Sequence, residues 1–492
     1  MIQFENVQFT YTGSNNMEIG VHDIDLSIRA GECVLLCGRS GCGKTTLTKL
    51  INGLIPHYFP GELSGDVKLD GKSILETPMY QLANTVGSVF QNPRTQFFNV
   101  DVESEIAFGI ENAAMLPDEL HQRLEYTLDT LKIRSLQDRN IFELSGGEKQ
   151  KVAFASVYAM NPDVFLLDEP SSNLDMASIE ELRSYLQILK KQNKTILIAE
   201  HRLYYLLDIA DRIIYLADGK IEAVFAPQQL QMLPEVTRKN MGLRAVDMQN
   251  VHPVVFPKPQ AQSILTVKDV TLFYKKRPVL EHISLQAAKG DIIGVVGPNG
   301  AGKTTFLRTL CGLHKEYTGC FCWQEQPQKE ADRMKRSYMV MQDVNYELFA
   351  DSVEAECSFG IQDVKPELIE KTLERLGLLT VQKRHPNTLS GGQKQRVAVA
   401  VSMICGKEVI VFDEPTSGLD YDSMEQVSNL IRELSKQKVI FVVTHDYEFV
   451  CQTCTRLLRF DHHTITDDFS LSDEKETAIR TLMGIGGTKD EK

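Results

Sequence analysis

Apolar and polar residues alternate along this chain in short blocks that come in two sets. Cys33–Cys37 and Asp291–Val296 are apolar runs that each end at a glycine-rich loop, and Thr45–Gly53 and Thr304–Gly312 then turn helical. Further on, Phe165–Leu167 and Ile196–Ala199 in the first set, and Ile410–Phe412 and Val439–Thr444 in the second, are continuous apolar runs of strand length. Such runs mark strands covered on both faces. A mainly helical insert lies between the early and late strands of each set. The pattern predicts an α/β core with parallel strands, built twice. The longest apolar runs, such as Val409–Phe412 and Val439–Val443, fall far short of the ~20 residues of a membrane-spanning helix.

The duplication is also literal. Gly38-Arg39-Ser40-Gly41-Cys42-Gly43-Lys44-Thr45 recurs as Gly297-Pro298-Asn299-Gly300-Ala301-Gly302-Lys303-Thr304, Leu144-Ser145-Gly146-Gly147 as Leu389-Ser390-Gly391-Gly392, and Leu167-Asp168-Glu169-Pro170 as Phe412-Asp413-Glu414-Pro415. The stretch from Lys303 to Ser390 is shorter than that from Lys44 to Ser145. Copies this long are whole domains, because solenoid repeats run only about 20–50 residues. The expected division is a first domain at 1–225, a linker at 226–263 punctuated by Pro227, Pro234, Pro253, Pro257 and Pro259, a second domain at 264–465 and an acidic C-terminal tail at 466–492. One short helix is expected near Gln228–Leu243 and another at Asp473–Met483.

Composition narrows the function. Net charge is −13, which argues against a phosphate-reading nucleic-acid binder and predicts no nucleic-acid partner. Ten cysteines in 492 residues are too sparse for a disulfide framework, and the close pairs Cys320-Phe-Cys322 and Cys451-Gln-Thr-Cys454 have no matching Cys or His pair at zinc-finger spacing. The N-terminus lacks the basic and apolar regions of a signal peptide, so a reduced, cytoplasmic setting is expected.

The two glycine-rich loops carry the chemistry. In the pattern G-x-x-x-x-G-K-[ST], glycines let backbone N–H groups close around phosphate oxygens at a helix N-terminus. Lys44 and Lys303 are placed to bridge the β- and γ-phosphates of ATP, and Thr45 and Thr304, followed by Thr46 and Thr305, to meet Mg²⁺ and phosphate. Asp168 and Asp413 end apolar strands, where a carboxylate can hold the metal. Glu169 and Glu414 follow at once, as candidates to orient or deprotonate the attacking water.

With these residues the chain resembles the ATP-binding-cassette (ABC) ATPases over nearly its whole length. Ser145-Gly146-Gly147 and Ser390-Gly391-Gly392 match that family's signature, Gln91 and Gln342 its Q-loop, and Ser171–Asp175 and Thr416–Asp420 its D-loop. His201 and His445 match the switch histidine, and Tyr11 and Tyr274 the ring that stacks on adenine. The resemblance implies two P-loop NTPase domains in tandem, each a RecA-like α/β core with a helical signature subdomain. It adds Gln91 and Gln342 to the metal set and implies that the two cassettes pair head to tail within one chain, each ATP lying between one phosphate loop and the other signature.

A narrower likeness is carried by Phe90-Gln-Asn-Pro-Arg-Thr-Gln-Phe-Phe98, by Val340–Phe349 and by Ala199-Glu-His-Arg202. These strings resemble the ATPase subunits of energy-coupling-factor (ECF) importers, which take up vitamins and metal ions. The likeness implies a peripheral place on the cytoplasmic face of the membrane, with a transmembrane scaffold and a substrate-binding membrane subunit as partners. An ATPase of a binding-protein-dependent importer is the nearer alternative, and a tandem cassette acting on ribosomes the more distant one. A docking groove is expected beside each Q-loop, with apolar walls (Phe97, Phe98, Leu348, Phe349) and an acidic rim (Glu103, Glu105, Glu354, Glu356).

Overall fold

The computed structural model describes residues 1–12, 17–172, 174–256, 262–361, 363–389 and 391–485, and it divides into two units, Met1–Asp247 and Met248–Lys492. In the first unit a six-stranded sheet runs in the order Lys220–Phe225, Arg212–Ala217, Cys33–Gly38, Thr195–Ala199, Val164–Asp168, Val86–Val89. All neighbours are parallel except the Lys220–Phe225 edge. The second unit repeats the order with Thr464–Ser470, Arg456–Asp461, Ile292–Val296, Val439–Val443, Val409–Asp413 and Ser337–Val340. Each unit also has a four-stranded antiparallel sheet, centred on Ile2–Thr12 and on Ser263–Tyr274.

The central strand shows why its residues are apolar throughout. Val34 and Leu36 enter one cluster with Phe4, Phe9 and Leu47, while Cys33, Leu35 and Cys37 enter another with Phe154 and Phe165. Alternate side chains leave a strand on opposite faces, so both faces must be apolar when both are covered. Each fully buried Leu, Val or Phe contributes ~1.5–3 kcal/mol. The packing fixes the strand, and with it the loop at its end.

The helical insert of the first unit contains Val102–Asn112, Pro117–Thr130 and Gly146–Met160. In the second, the counterpart of the first of these is the four-residue helix Val353–Glu356, followed by Pro366–Arg375 and Gly391–Ile404. The shorter second insert accounts for part of the missing length; the rest is lost between Lys303 and Gln342, ahead of the insert.

Two expectations are refined. The helix expected near Gln228–Leu243 is two, Pro227–Gln231 and Glu235–Asn240, interrupted at Pro234, and Leu230 and Leu243 are buried in the first unit's core. Further along, the Val254 N–H donates to the Cys451 carbonyl at 2.7 Å and His252 pairs with Glu476, so this part lies on the second unit. The expected tail carries a paired strand besides the helix expected at Asp473–Met483. Thr464–Ser470 pairs antiparallel with Arg456–Asp461, and Ile479 of the helix Glu476–Leu482 is buried. The last residues of that tail, 486–492, lie outside the described residues.

Candidate functional site

In each unit the central strand ends in the glycine-rich loop, and the helices Lys44–Ile51 and Lys303–Leu310 start from it. Gly43 and Gly302 are the residues before these helices, at φ of 105° and 91°. A Cβ on Gly43 would stand 2.8 Å from the Gly20 carbonyl oxygen, so only glycine fits the turn. A Cβ on Gly41 or Gly300 would meet nothing within 4 Å, so the middle of each loop faces open space. The Lys44 ammonium is buried and donates to the Gly38 and Arg39 carbonyls, both at 3.0 Å. Lys303 does the same with Gly297 at 2.7 Å and Pro298 at 2.9 Å. Each lysine thus closes its own loop.

The acids stand beside the loops. Thr45 Oγ1 donates to Asp168 Oδ1 at 3.1 Å, and Thr304 Oγ1 to Asp413 Oδ2 at 3.0 Å. Burial, with the Glu169 carboxyl next to it, pushes Asp168 up to about 6, and burial also raises Asp413. Hard oxygen donors crowded this way, with their charge held back by burial, suit a small divalent cation.

Glu169 and Glu414 lie one residue beyond these strands with φ of 45° and 53°, a left-handed backbone that glycine favours. Their N–H groups donate to the Ala199 and Val443 carbonyls at 2.8 and 2.9 Å, which ties each turn to the strand that leads to the histidine. Gln91 Nε2 donates to Glu169 Oε2 at 2.6 Å, and His201 Nε2 lies 3.4 Å from Glu169 Oε1. In the second unit His445 Nε2 lies 3.7 Å from Glu414 Oε1, and the His445 N–H donates to Glu414 Oε2 at 3.3 Å. The structure therefore gathers Lys44, Thr45, Gln91, Asp168, Glu169 and His201 at one sheet end. Lys303, Thr304, Asp413, Glu414 and His445 gather at the other.

The signature residues occupy a helix start. Ser145 precedes Gly146–Met160 and forms a capping box with Glu148: Glu148 N–H donates to Ser145 Oγ at 3.3 Å, and Ser145 N–H to Glu148 Oε2 at 2.8 Å. Gly146 and Gly147 open that helix and Gly391 and Gly392 open its counterpart, while Ser390 and the D-loop's Asn173 lie outside the described residues. Asp175 and Asp420, the last residues of the D-loops, cap the helices Met176–Lys191 and Tyr421–Ser435 through Ser178 and Ser423.

The two expected adenine platforms differ. Tyr274 is 57% exposed, whereas Tyr11 is half-buried, edge-on to Phe9 and Phe59, with its hydroxyl 3.1 Å from Thr46 Oγ1. The Arg39 side chain, within the first loop, donates to the Asn240 carbonyl at 2.7 Å and so reaches back to the helix Glu235–Asn240. Pro298, in the same position of the second loop, has no such donor.

One residue beside the second Q-loop escaped the sequence reading. Gln96 accepts from the Phe90 N–H at 3.3 Å and donates to the Ser88 carbonyl at 3.2 Å. Its counterpart Glu347 accepts from the Met341 N–H at 2.5 Å, and its other oxygen is buried without a hydrogen-bond partner. Burial pushes this carboxyl up to about 8. The Gln-to-Glu difference between the copies was the available signal.

The expected groove beside the first Q-loop is a cavity of about 430 Å³, walled by Met79, Tyr80, Phe98, Phe108 and Met160. Phe98 stacks on Phe108 at 5.0 Å and is exposed, as is Phe349 in the second unit, whereas Phe97 is half-buried and Leu348 buried. The acidic rim needs correction. Glu105 is buried and accepts from the Phe98 and Asn99 N–H groups at 3.0 and 2.8 Å, and Glu356 holds Phe349 and Ala350 at 2.7 and 2.8 Å. A loop with unpaired amides drew these carboxylates inward. Glu103 accepts from Gln137, and Glu354 pairs with Lys383.

Known proteins share this arrangement. A family model described as "ABC transporter" matches residues 21–172 and 280–417, one match per unit. Fold and site together define a tandem ABC ATPase, two cassettes on one chain that bind and hydrolyse ATP. The chain belongs to the ABC transporter ATP-binding proteins. It is 50% identical over 465 residues to a Treponema denticola protein named provisionally as an ABC transporter ATP-binding protein, a match that spans 93% of this chain and 95% of that one. A protein of the same provisional name from Methanosarcina acetivorans is 31% identical over 506 residues, 100% of this chain and 93% of its own. Among solved structures, the archaeal ribosome recycling factor aABCE1, in complex with the stalk protein aP1, superposes with a TM-score of 0.64 over 96% of this chain and 92% of its own. At 22% identity that likeness is one of fold. Among the described residues no helix is long and apolar enough to cross a membrane.

Proposed function

We propose that this chain is the ATP-hydrolysing, energy-coupling subunit of a membrane importer, of the ECF type that takes up a vitamin or metal ion. It works from the cytoplasmic face of the membrane with a transmembrane scaffold and a substrate-binding membrane subunit. The observation that carries the reading is the aromatic groove of the first cassette. Exposed Phe98 and Tyr80 border a cavity next to Gln91, which itself holds Glu169. An apolar helix of a membrane partner seated there would press on the loop that positions the hydrolytic acid. The names of the full-length relatives support the transport role.

Within each cassette the roles follow from chemistry. The loop amides and Lys44 or Lys303 cradle the phosphates, and Tyr11 and Tyr274 flank the adenine. Thr45, Asp168 and Gln91, or Thr304, Asp413 and Gln342, hold Mg²⁺, which neutralises phosphate charge when bound. Glu169 and Glu414 orient the attacking water, with His201 and His445 alongside. The cassettes close head to tail, so that the nucleotide on Lys44 meets Ser390, Gly391 and Gly392, and that on Lys303 meets Ser145, Gly146 and Gly147. ATP favours the closed pair more than ADP does, because the signature amides bond its γ-phosphate.

The test is a tagged pull-down from detergent-solubilised membranes of the source cell, with the parent chain and a Phe98→Asp/Phe349→Asp variant. Recovery of a multi-span scaffold with a second substrate-binding membrane protein, lost in the variant while ATP hydrolysis persists, supports the reading. A conventional permease with a soluble binding protein would replace the ECF type with a binding-protein-dependent importer. Ribosomal proteins, with the chain absent from membranes, would overturn transport altogether.

A further inference from the structure

We propose that Glu200 and Arg202 are a matched pair of positioning residues that lock His201 to the D-loop of the first cassette. They replace, as a pair, the work that Thr444 and Asp446 do in the second. The inference rests on the assignment of Glu169 and His201 to the hydrolytic centre.

Glu200 is 2% exposed, and a carboxylate so deeply buried persists only when donors saturate it. Four do. Its Oε1 accepts from the main-chain N–H groups of His201 at 2.7 Å and Arg202 at 3.1 Å. Its Oε2 accepts from the Ser171 N–H at 3.2 Å and the Tyr205 hydroxyl at 2.9 Å. The Arg202 guanidinium, also buried, crosses in the opposite direction and donates to the carbonyls of Ser171 at 3.2 Å and Leu174 at 3.4 Å. Ser171 is therefore held at both its main-chain groups by the two neighbours of His201. Only Pro170 separates Ser171 from Glu169. The bracket thus clasps both sides of the 3.4 Å His201–Glu169 approach.

The second cassette does this differently. Asp446 Oδ2 accepts from the Thr416 hydroxyl at 2.9 Å, and the Asp446 N–H donates to Thr444 Oγ1 at 3.1 Å. Asp446 Oδ1 accepts from the Phe449 N–H and caps the helix Tyr447–Thr453. Arg202 cannot accept a hydrogen bond, and the residues after it form turns instead of a helix. The two sets are alternatives. Changing Glu200 to Thr alone would take the carboxylate from the N–H groups of Ser171, His201 and Arg202, and changing Arg202 to Asp alone would strip the Ser171 and Leu174 carbonyls of their donor and bury a second carboxylate near Glu200. Changing both would recreate the second cassette's Thr and Asp on either side of the histidine, with the Ser171 hydroxyl facing the introduced carboxylate as Thr416 faces Asp446; the Tyr205 hydroxyl, at the position of Phe449, is the one group that would lose its acceptor.

The experiment measures kcat, KM and melting temperature for ATP hydrolysis by the full chain, comparing Glu200→Thr, Arg202→Asp, Arg202→Ala and the double Glu200→Thr/Arg202→Asp, with His201→Ala as reference. Each single variant is expected to lower kcat to the level of His201→Ala with KM within about twofold of the parent, and the double variant to regain most of the lost rate. Should the singles fail to fold, recovery of a folded, active double variant supports the pairing and its failure to fold overturns it. A double variant no better than the singles, or an Arg202→Ala chain with the parent kcat beside an impaired His201→Ala, also overturns it. A fully active His201→Ala would instead remove the assignment of the hydrolytic centre.

Discussion

The two cassettes share one sheet order, one loop conformation and one pair of acids, yet they differ in the residues one step behind those groups. In both, the lysine donates to two loop carbonyls and the threonine to the aspartate. Around them, Glu200 and Arg202 correspond to Thr444 and Asp446, Gln96 to Glu347, and Arg39 to Pro298. The insert helix Val102–Asn112 corresponds to the four residues Val353–Glu356. Groups proposed to meet the nucleotide answer to the nucleotide's own chemistry, which is the same at both sites. Groups that hold them answer only to their neighbours, and several packings satisfy that requirement. The comparison teaches where a duplicated machine is free to specialise.

The sharpest way to break the comparison is to disable each acid in turn. Glu169→Gln and Glu414→Gln should each lower kcat by about 100-fold or more while ATP binding persists, read by steady-state hydrolysis and nucleotide titration. Unequal losses would show that the supporting residues set turnover; normal hydrolysis in either variant would remove that acid from its role. Lys44→Ala and Lys303→Ala come next, with ATP affinity reduced about tenfold to a hundredfold by loss of a charge-assisted contact. Asp446→Ala should destabilise the second cassette by ~1–2 kcal/mol in denaturant titration, because a helix cap and the Thr416 bond go together.

The last effect depends on pH and concerns Glu347. Its carboxyl is raised in the folded chain to about 8 from an ordinary 4.5, so the folded state holds a proton that the unfolded state releases. The stability tied to that proton is complete below 4.5, declines as pH climbs, and is gone above about 8. Glu347→Gln, which mimics Gln96, should therefore melt progressively later than the parent as pH rises through this window and then keep a constant lead. Melting curves that stay parallel from pH 5 to 9 would contradict the buried acid.

Loops, acids and signatures were legible in the sequence because phosphate chemistry demands fixed residue types at fixed spacing, and because the pattern appears twice. The parallel core was legible because strands covered on both faces must be apolar throughout. What the sequence concealed were polar side chains put to internal use. Glu105 and Glu356 read as a solvated rim, since a charged residue on an amphipathic helix looks the same whether it faces water or a neighbouring loop's amides. Thr466–Ser470, most of the strand Thr464–Ser470, read as tail because an edge strand with one open face carries few apolar residues. Glu200 and Arg202 stood out only as a family marker, since their partners Ser171 and Leu174 are distant in sequence.

The backbone at Glu169 and Glu414 has a further consequence. A side chain held at positive φ costs of order 1–3 kcal/mol that glycine would avoid. A cassette released from turning over ATP could therefore gain heat resistance by exchanging this acid for glycine, losing only an activity it no longer needed. The position works as a record of use, where idleness would be rewarded with ruggedness. Neither half of this chain has made the exchange.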